Sequence, residues 1–138
     1  YAGQESANKH TPSLFEIDKV EWGNYSLQPL LARLAKLKKD AAMVKGKFII
    51  THSDPAIQAA WELPGKSLYG IFNVSGKQGY VLTSLPDGNY KDVLTDETVS
   101  VRGGKLLLPE SIFILRVPEA MMLRPVYCEL LDYNFTGR

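Results

Sequence analysis

The sequence contains few of the residues on which metal and covalent chemistry depend. Among its 138 residues there are one cysteine, Cys128, and two histidines, His10 and His52. One cysteine excludes an internal disulfide and a cysteine-rich metal site, and the two histidines stand in no cluster with ligand spacing. We therefore predict no metal and no cofactor, and we interpret Cys128 as a small apolar core residue.

An excess of one charge and long apolar runs are also missing. The sequence has 16 Lys and Arg residues and 15 Asp and Glu residues, which leaves a net charge of +1. Nucleic acids and anionic membranes recruit basic patches, and a membrane helix needs about 20 consecutive apolar residues. The predicted partners therefore include neither nucleic acid nor membrane. Localisation stays undetermined, although one cysteine and three methionines are compatible with a bacterial cytoplasmic protein.

Motifs for nucleophilic or phosphate chemistry are absent as well. The sequence has no Gly-x-Ser-x-Gly turn for a serine nucleophile, and Cys128 has no activating neighbour. The glycines of Arg102-Gly103-Gly104-Lys105 lack the spacing of a phosphate-binding loop and predict a hairpin turn. His52 precedes Ser53-Asp54-Pro55 and is interpreted as a turn residue with local hydrogen bonds.

One helix is predicted after an irregular N-terminal loop. Residues 6–25 show no sustained periodicity, whereas apolar positions then recur every three or four residues and predict an amphipathic helix over 27–41. Ser26 is the expected N-cap, and Pro29 is tolerated in the first turn. The apolar stripe consists of Leu27, Leu30, Leu31, Leu34 and Leu37. Because this stripe is too apolar to stay in water, we expect it to pack on the rest of the fold or to form a homodimer through Leu27–Leu37.

After Gly46 the pattern changes to short strands separated by turn residues. The predicted strands are 47–51, 57–63, 67–74, 79–83, 89–94, 97–101, 105–108 and 111–117, with one more over 126–133. The pair 97–101 and 105–108 is expected to form a hairpin. Such spacing is typical of an antiparallel β-sandwich, so the fold class is mainly β. The predicted segments are 1–45, 46–117 and a C-terminal extension, 118–138.

Several motifs, in order, resemble the alpha-amylase family of glycoside hydrolases. Tyr1-Ala2-Gly3-Gln4-Glu5 is similar to the segment that closes the family's eighth barrel strand, and 15–22 is similar to its aromatic-rich loop. A leucine-rich helix follows at 31–39. Then come Lys45-Gly46-Lys47-Phe48, similar to the link into the C-terminal domain, and two strand motifs at 68–75 and 85–95. The resemblance covers roughly residues 1–117.

The resemblance implies that this chain carries no catalytic residue. In the family, the nucleophilic Asp, the acid Glu and a further Asp lie on the fourth, fifth and seventh barrel strands, before the position of Tyr1. The chain is then expected to be the non-catalytic C-terminal portion of an enzyme acting on alpha-glucosidic bonds. Its main partner would be the missing catalytic barrel. The residues implied to remain at the substrate-binding mouth of that barrel are Tyr1, Glu5 and Trp22.

Two other functions stay open on the residues alone. One is a carbohydrate-binding module that stacks alpha-glucan on exposed aromatic rings; the candidates are Trp22, Trp61, Tyr69, Tyr80 and Tyr90, of which Trp61 and Tyr69 are favoured as core. The other is an interaction sandwich unrelated to amylases. Glycoside hydrolysis by this chain would need two facing carboxylates. Its acidic residues are interpreted instead as solvated loop and turn carboxylates, among them Glu16, Asp18, Glu21, Asp92, Asp96 and Glu97.

Overall fold

The structure is a computed structural model that describes residues 3–118. The chain divides into two compact units, Tyr1–Lys39 and Asp40–Arg138. The predicted segment boundaries at 45 and 117 stay predictions. The strand predicted over 126–133 and nearly all of the extension 118–138 lie outside the described residues, as does Cys128.

The first unit contains a 3-10 helix, Gln4–Ser6, a long loop and helix α1, Gln28–Leu37. The predicted N-cap was wrong by one residue, because Leu27 holds that position and no side chain caps the helix. The Leu27 N–H instead donates to the carbonyl of Glu5 at 3.0 Å, which ties α1 to the 3-10 helix. Pro29 stands in the first turn as expected.

The predicted helix over 27–41 was too long at its C-terminal end, because α1 ends at Leu37. A second helix, α2, runs over Ala41–Lys45. Asp40 separates them because its backbone is extended, with φ −62° and ψ 139°, and its carboxylate accepts the N–H of Ala42 at 2.9 Å. An aspartate that bonds the second backbone N–H of a helix is a preferred N-cap, so Asp40 starts a new helix.

The second unit holds all the strands predicted between residues 47 and 117, with ends shifted by a residue or two. Their bounds are β1 Lys47–His52, β2 Ile57–Glu62, β3 Leu68–Phe72, β4 Tyr80–Leu82, β5 Gly88–Asp92, β6 Thr98–Val101, β7 Lys105–Leu107 and β8 Ile112–Arg116. Six of them form one sheet in the order β1-β2-β3-β8-β5-β6, and β4 pairs with β7 in a second sheet. Every pairing is antiparallel. The mainly β, antiparallel sandwich is thereby confirmed.

The hairpin predicted between β6 and β7 forms at its turn but does not extend into the strands. The two strands belong to different sheets, and only Arg102 and Lys105 pair across the turn. Gly103 and Gly104 have φ of 59° and 70°, and their N–H groups donate to the Asp87 carboxylate at 2.7 and 2.8 Å. Asp87 thus binds a turn distant in sequence, and this turn carries the chain from one sheet to the other.

The core lies between the two sheets. The small sheet contributes Val81 and Leu106, which are packed with the large sheet's Tyr69, Ile71 and Leu115. The remaining members of the core are Ala56, Ala60, Leu85, Tyr90, Val99, Val101 and Val117. This arrangement defines an inner face of the large sheet, which the small sheet and its flanking loops cover.

A buried polar network crosses this core. The hydroxyl of Tyr69 donates to Gln58 Oε1 at 2.9 Å and lies 2.7 Å from Thr51 Oγ1. Gln58 Nε2 donates in turn to the carbonyl of Leu82 on β4 at 2.7 Å. The buried polar atoms of Gln58 are therefore satisfied, and their bonds fix the position of the small sheet on the large one.

Candidate functional site

The predicted barrel-mouth residues belong to the first unit. Glu5 lies in the 3-10 helix, half-buried, and the Trp22 ring is 55% exposed and stacks on Tyr25, with 6.2 Å between ring centroids. A Cβ built on Gly23 would lie 3.6 Å from Ser6 Cβ, so the segment of Trp22 passes beside the 3-10 helix. Tyr1 lies outside the described residues. The binding roles of all three stay predictions.

Three of the candidate carboxylates have local structural roles. Asp96 forms an ion pair with Lys91 at 3.3 Å. Asp18 bonds His10 and the N–H of Ser13, and the Ser13 bond is the main cause of its lowered pKa. The interpretation of Asp92 as solvated was wrong, because it is fully buried. Its carboxylate accepts bonds from Leu94 N, Thr95 N, Thr95 Oγ1 and Ile114 N.

Over residues 3–118, no group of three or more His, Cys, Asp and Glu side chains is arranged to hold a metal ion. In the same residues, no helix has the length and apolarity that crossing a membrane requires.

The aromatic candidates separate into three environments. Tyr69 and Tyr90 are buried in the core, as expected for Tyr69. Tyr80 is 73% exposed on the small sheet. Trp61 is half-buried, and its side chain lies on the face of the large sheet opposite to Tyr69. This opposite face is called the outer face below.

The outer face follows from the register of β1, β2, β3 and β8. Because side chains alternate along a strand, residues paired across the sheet share a face. Three rows cross the sheet on the side opposite to Tyr69 and Ile71. They are Phe48–Trp61–Leu68–Arg116, Ile50–Ala59–Gly70–Ile114 and Ile57–Phe72–Ile112. Ten of these eleven residues are apolar or glycine, and Arg116 stands at the margin.

The exposed part of the outer face is aromatic and aliphatic. Phe48 is 55% exposed, Ile50 48% and Ile57 37%. The rings of Phe48 and Trp61 lie 5.2 Å apart at 49°. Gly70 at the centre has no side chain, and the rings of Trp61 and Phe72 close over it. A Cβ there would lie 2.7 Å from Phe72 Cε2 and 3.0 Å from Trp61 Cζ3.

Helix α2 is held against the large sheet at one margin of this face. α2 lies against β2, and Ala42 is fully buried. Arg116 of β8 donates to both carboxylate oxygens of Asp40, at 2.5 Å from Nη2 and 3.3 Å from Nη1. These bonds are the main reason that the pKa of Asp40 lies below its usual value. The pair fixes the start of α2 to the sheet and leaves Phe48, Ile50 and Ile57 accessible.

Such a face can bind but cannot catalyse. An antiparallel sheet with one solvated face normally alternates apolar and polar residues, so an apolar outer face indicates a partner surface. The sequence analysis missed it, although a signal exists. Phe48-Ile49-Ile50 and Leu68-Tyr69-Gly70-Ile71-Phe72 carry apolar residues or glycine on both faces of their strands, the pattern of strands buried on both sides.

Residues 49–115 match the family model of the bacterial alpha-amylase C-terminal domain. The resemblance to the alpha-amylase family is confirmed over this segment, which contains most of the large sheet and all of the small one. Among curated proteins, none matches the sequence.

Solved alpha-amylase structures share the fold. An alpha-amylase from Lactobacillus plantarum is 24% identical with a TM-score of 0.69, and the match covers 85% of this chain and 28% of that one. An Anoxybacillus alpha-amylase is 18% identical with a TM-score of 0.62, over 84% and 28% of the two chains. A maltogenic alpha-amylase from Thermotoga neapolitana is 19% identical with a TM-score of 0.62, over 85% and 32%. This chain therefore spans about a third or less of the length of these proteins.

Proposed function

We propose that this chain, which carries a C-terminal domain of the bacterial alpha-amylase type, is the non-catalytic C-terminal portion of an enzyme acting on alpha-glucosidic bonds. Starch, maltodextrin or related oligosaccharides are the proposed substrates of that enzyme. The match over 49–115 supports the assignment, as do amylase neighbours that are much longer than this chain. Any turnover of starch, maltodextrin or sucrose by the purified chain would overturn the non-catalytic role.

The role of the domain is to stabilise the catalytic barrel, which docks on the outer face. The exposed fractions of Phe48, Ile50 and Ile57 carry this part of the proposal. Full burial of a large apolar side chain contributes about 1.5–3 kcal/mol, so completing the burial of three half-exposed ones gives about 3 kcal/mol in total. Trp61 and Phe72 add aromatic surface beside them. This stabilisation requires a partner with a matching apolar surface, and the expected partner is the barrel.

The docking is tested by mixing this chain with a separately produced catalytic domain of the parent enzyme. We expect the chain to raise the melting temperature of that domain. Ile50→Lys should abolish the shift, because it places a charge in the apolar contact. Leu107→Lys is the matched control, since Leu107 is also a strand residue and is 54% exposed, but on the small sheet. If both variants stabilise the catalytic domain equally, the outer face is not the docking surface.

Glu5 and Trp22 are proposed to contact the alpha-glucan at the mouth of the barrel. The 55% exposure of the Trp22 ring supports this, because an exposed ring can stack on a sugar. In the full-length enzyme, Trp22→Ala should raise KM for maltooligosaccharides. A KM equal to that of the wild type would contradict the role.

The exposed leucines of α1 suggest a second contact when the barrel is missing. Leu27, Leu30 and Leu31 are 38%, 43% and 38% exposed. For the chain alone, we propose a homodimer through α1. Sedimentation velocity should show a dimer for the wild type and a monomer for Leu30→Glu, and a wild-type monomer at high concentration would rule the dimer out.

A further inference from the structure

A groove lies beside β6, at the edge of the large sheet. It runs between β6, the last strand of the large sheet, and the outward side of the small sheet, with a volume of about 360 Å³. Binding cavities for small ligands have volumes of about 300–1,000 Å³, so this groove is large enough for a short ligand. Its lining includes Tyr80, Glu97, Ser100, Lys105, Leu107 and Phe113.

The floor of the groove has an aromatic ring that the fold does not use for packing. Val81 points into the core, so its neighbour Tyr80 points outward, and the Tyr80 side chain is 73% exposed. Leu107 pairs with Tyr80 across the small sheet and is 54% exposed. A flat apolar platform with one phenolic hydroxyl therefore faces solvent at this position.

The walls carry polar groups of both charges. β6 contributes Ser100, and Glu97 directly precedes β6, while Lys105 stands at the start of β7. Arg102 is held in place, since its guanidinium donates to the carbonyls of Gly88 and Val101 and to Asn89 Oδ1. A carboxylate, an ammonium group, a guanidinium and a hydroxyl thus line the groove, with one negative and two positive charges. Hydrogen-bond acceptors and donors beside an apolar platform suit a ligand with many hydroxyl groups.

We propose that this groove binds a short alpha-glucan, with one glucose ring stacked on Tyr80. A pyranose has an apolar face of C–H groups that fits an aromatic ring, and its rim of hydroxyls bonds well to carboxylate and ammonium side chains. The choice of an alpha-linked glucan, among neutral oligosaccharides, rests on the proposed function. Phe48, Ile50 and Ile57 do not line the groove, so the domain can hold glucan while it is docked on the barrel through those residues.

The test is a titration of the purified chain with maltoheptaose, followed by NMR or calorimetry. We expect binding that weakens at least about tenfold in Tyr80→Ala and persists in Tyr80→Phe, which keeps the ring. Phe48→Ala is the matched control, because it removes an exposed ring from the outer face, and it should bind maltoheptaose like the wild type.

Three outcomes would overturn the proposal. They are no binding by the wild type, unchanged binding by Tyr80→Ala, and equal binding of cellohexaose, which would contradict the alpha-glucan class. None of them affects the docking proposal, since the docking assay contains no sugar and depends on Ile50.

Discussion

The two faces of the six-stranded sheet are both apolar, yet the second unit covers them differently. On the inner face, Tyr69, Ile71 and Leu115 are fully buried under the small sheet and its loops. On the outer face, Ala59, Leu68 and Ile114 are also buried, but Phe48 and Ile50 remain about half exposed, and α2 lies against β2. Composition alone does not distinguish the faces, whereas the exposed fractions of Phe48 and Ile50 do.

The inner face stabilises the fold of the domain itself, whereas the outer face is the one that we assign to a partner. The inner face is completed within the second unit, including the polar bonds of Tyr69 and Gln58 that join the two sheets. The most exposed apolar side chains of the outer face are Phe48, Ile50 and Ile57, on β1 and β2, while Ala59, Leu68 and Ile114 are buried. Apolar residues on both faces are expected where a sheet is covered on both sides. We assign the catalytic barrel as the partner that covers the outer face.

The largest expected effect comes from truncating the same residue type on each face. Ile71→Ala removes a fully buried side chain from the inner face and should lower the free energy of unfolding by about 2–5 kcal/mol. Ile50→Ala, at a position that is 48% exposed, should cost less than about 1 kcal/mol in the isolated chain. Urea unfolding of both variants measures the difference.

The same two variants can be compared in their binding to the separate catalytic domain. Ile50→Ala should weaken this binding, whereas Ile71→Ala should weaken it only to the extent that it unfolds the chain. Equal destabilisation by the two substitutions in the isolated chain would mean that the outer face is already covered.

A smaller effect is expected from the bond that holds α2 at the margin of the outer face. Asp40→Ala loses the helix cap and the pair with Arg116 and should cost about 1–2 kcal/mol. Asp40→Asn keeps a capping side chain and should cost about 0.5–1 kcal/mol, since the pair is partly exposed. Urea unfolding at pH 7 separates the two contributions.

The pH dependence of the Asp40 variants provides the control. The pKa of Asp40 is lowered, mainly by the Arg116 bonds, so this carboxylate stabilises the fold above its unfolded pKa of about 3.9 and loses that effect as the pH falls through the folded value. The difference between wild type and Asp40→Asn should therefore shrink as the pH falls below about 4. A difference independent of pH would mean that the ion pair does not hold α2.

Local periodicity was sufficient to predict the strands, because turn residues such as Pro64-Gly65 and Pro86-Asp87-Gly88 separate them in the sequence. It failed where a distant partner decides the outcome. The β6–β7 turn has the backbone hydrogen bonds of a hairpin, but the strands beyond it belong to different sheets, and Asp87 binds the turn's glycines from another loop. The helix pattern over 27–41 contains a break that only the extended backbone of Asp40 reveals.

The candidate site was harder to predict than the fold. Periodicity assigns Trp61 to a strand, but the side of the sheet that its ring faces depends on the register of β2 with β1 and β3. Tyr69 and Tyr80 look alike in the sequence, yet one is fully buried and the other is 73% exposed. The resemblance to amylases directed attention to Tyr1, Glu5 and Trp22, and the apolar outer face was recognised only from the structure.

Hydroxyl-radical footprinting of the full-length parent enzyme and of this chain alone tests the central claim most directly. The oxidation rates of Phe48, Trp61 and Phe72 should fall strongly in the full-length enzyme, while that of Tyr80 on the small sheet should stay unchanged. Equal oxidation of the three outer-face rings in both proteins would contradict the assignment of the outer face to the catalytic barrel.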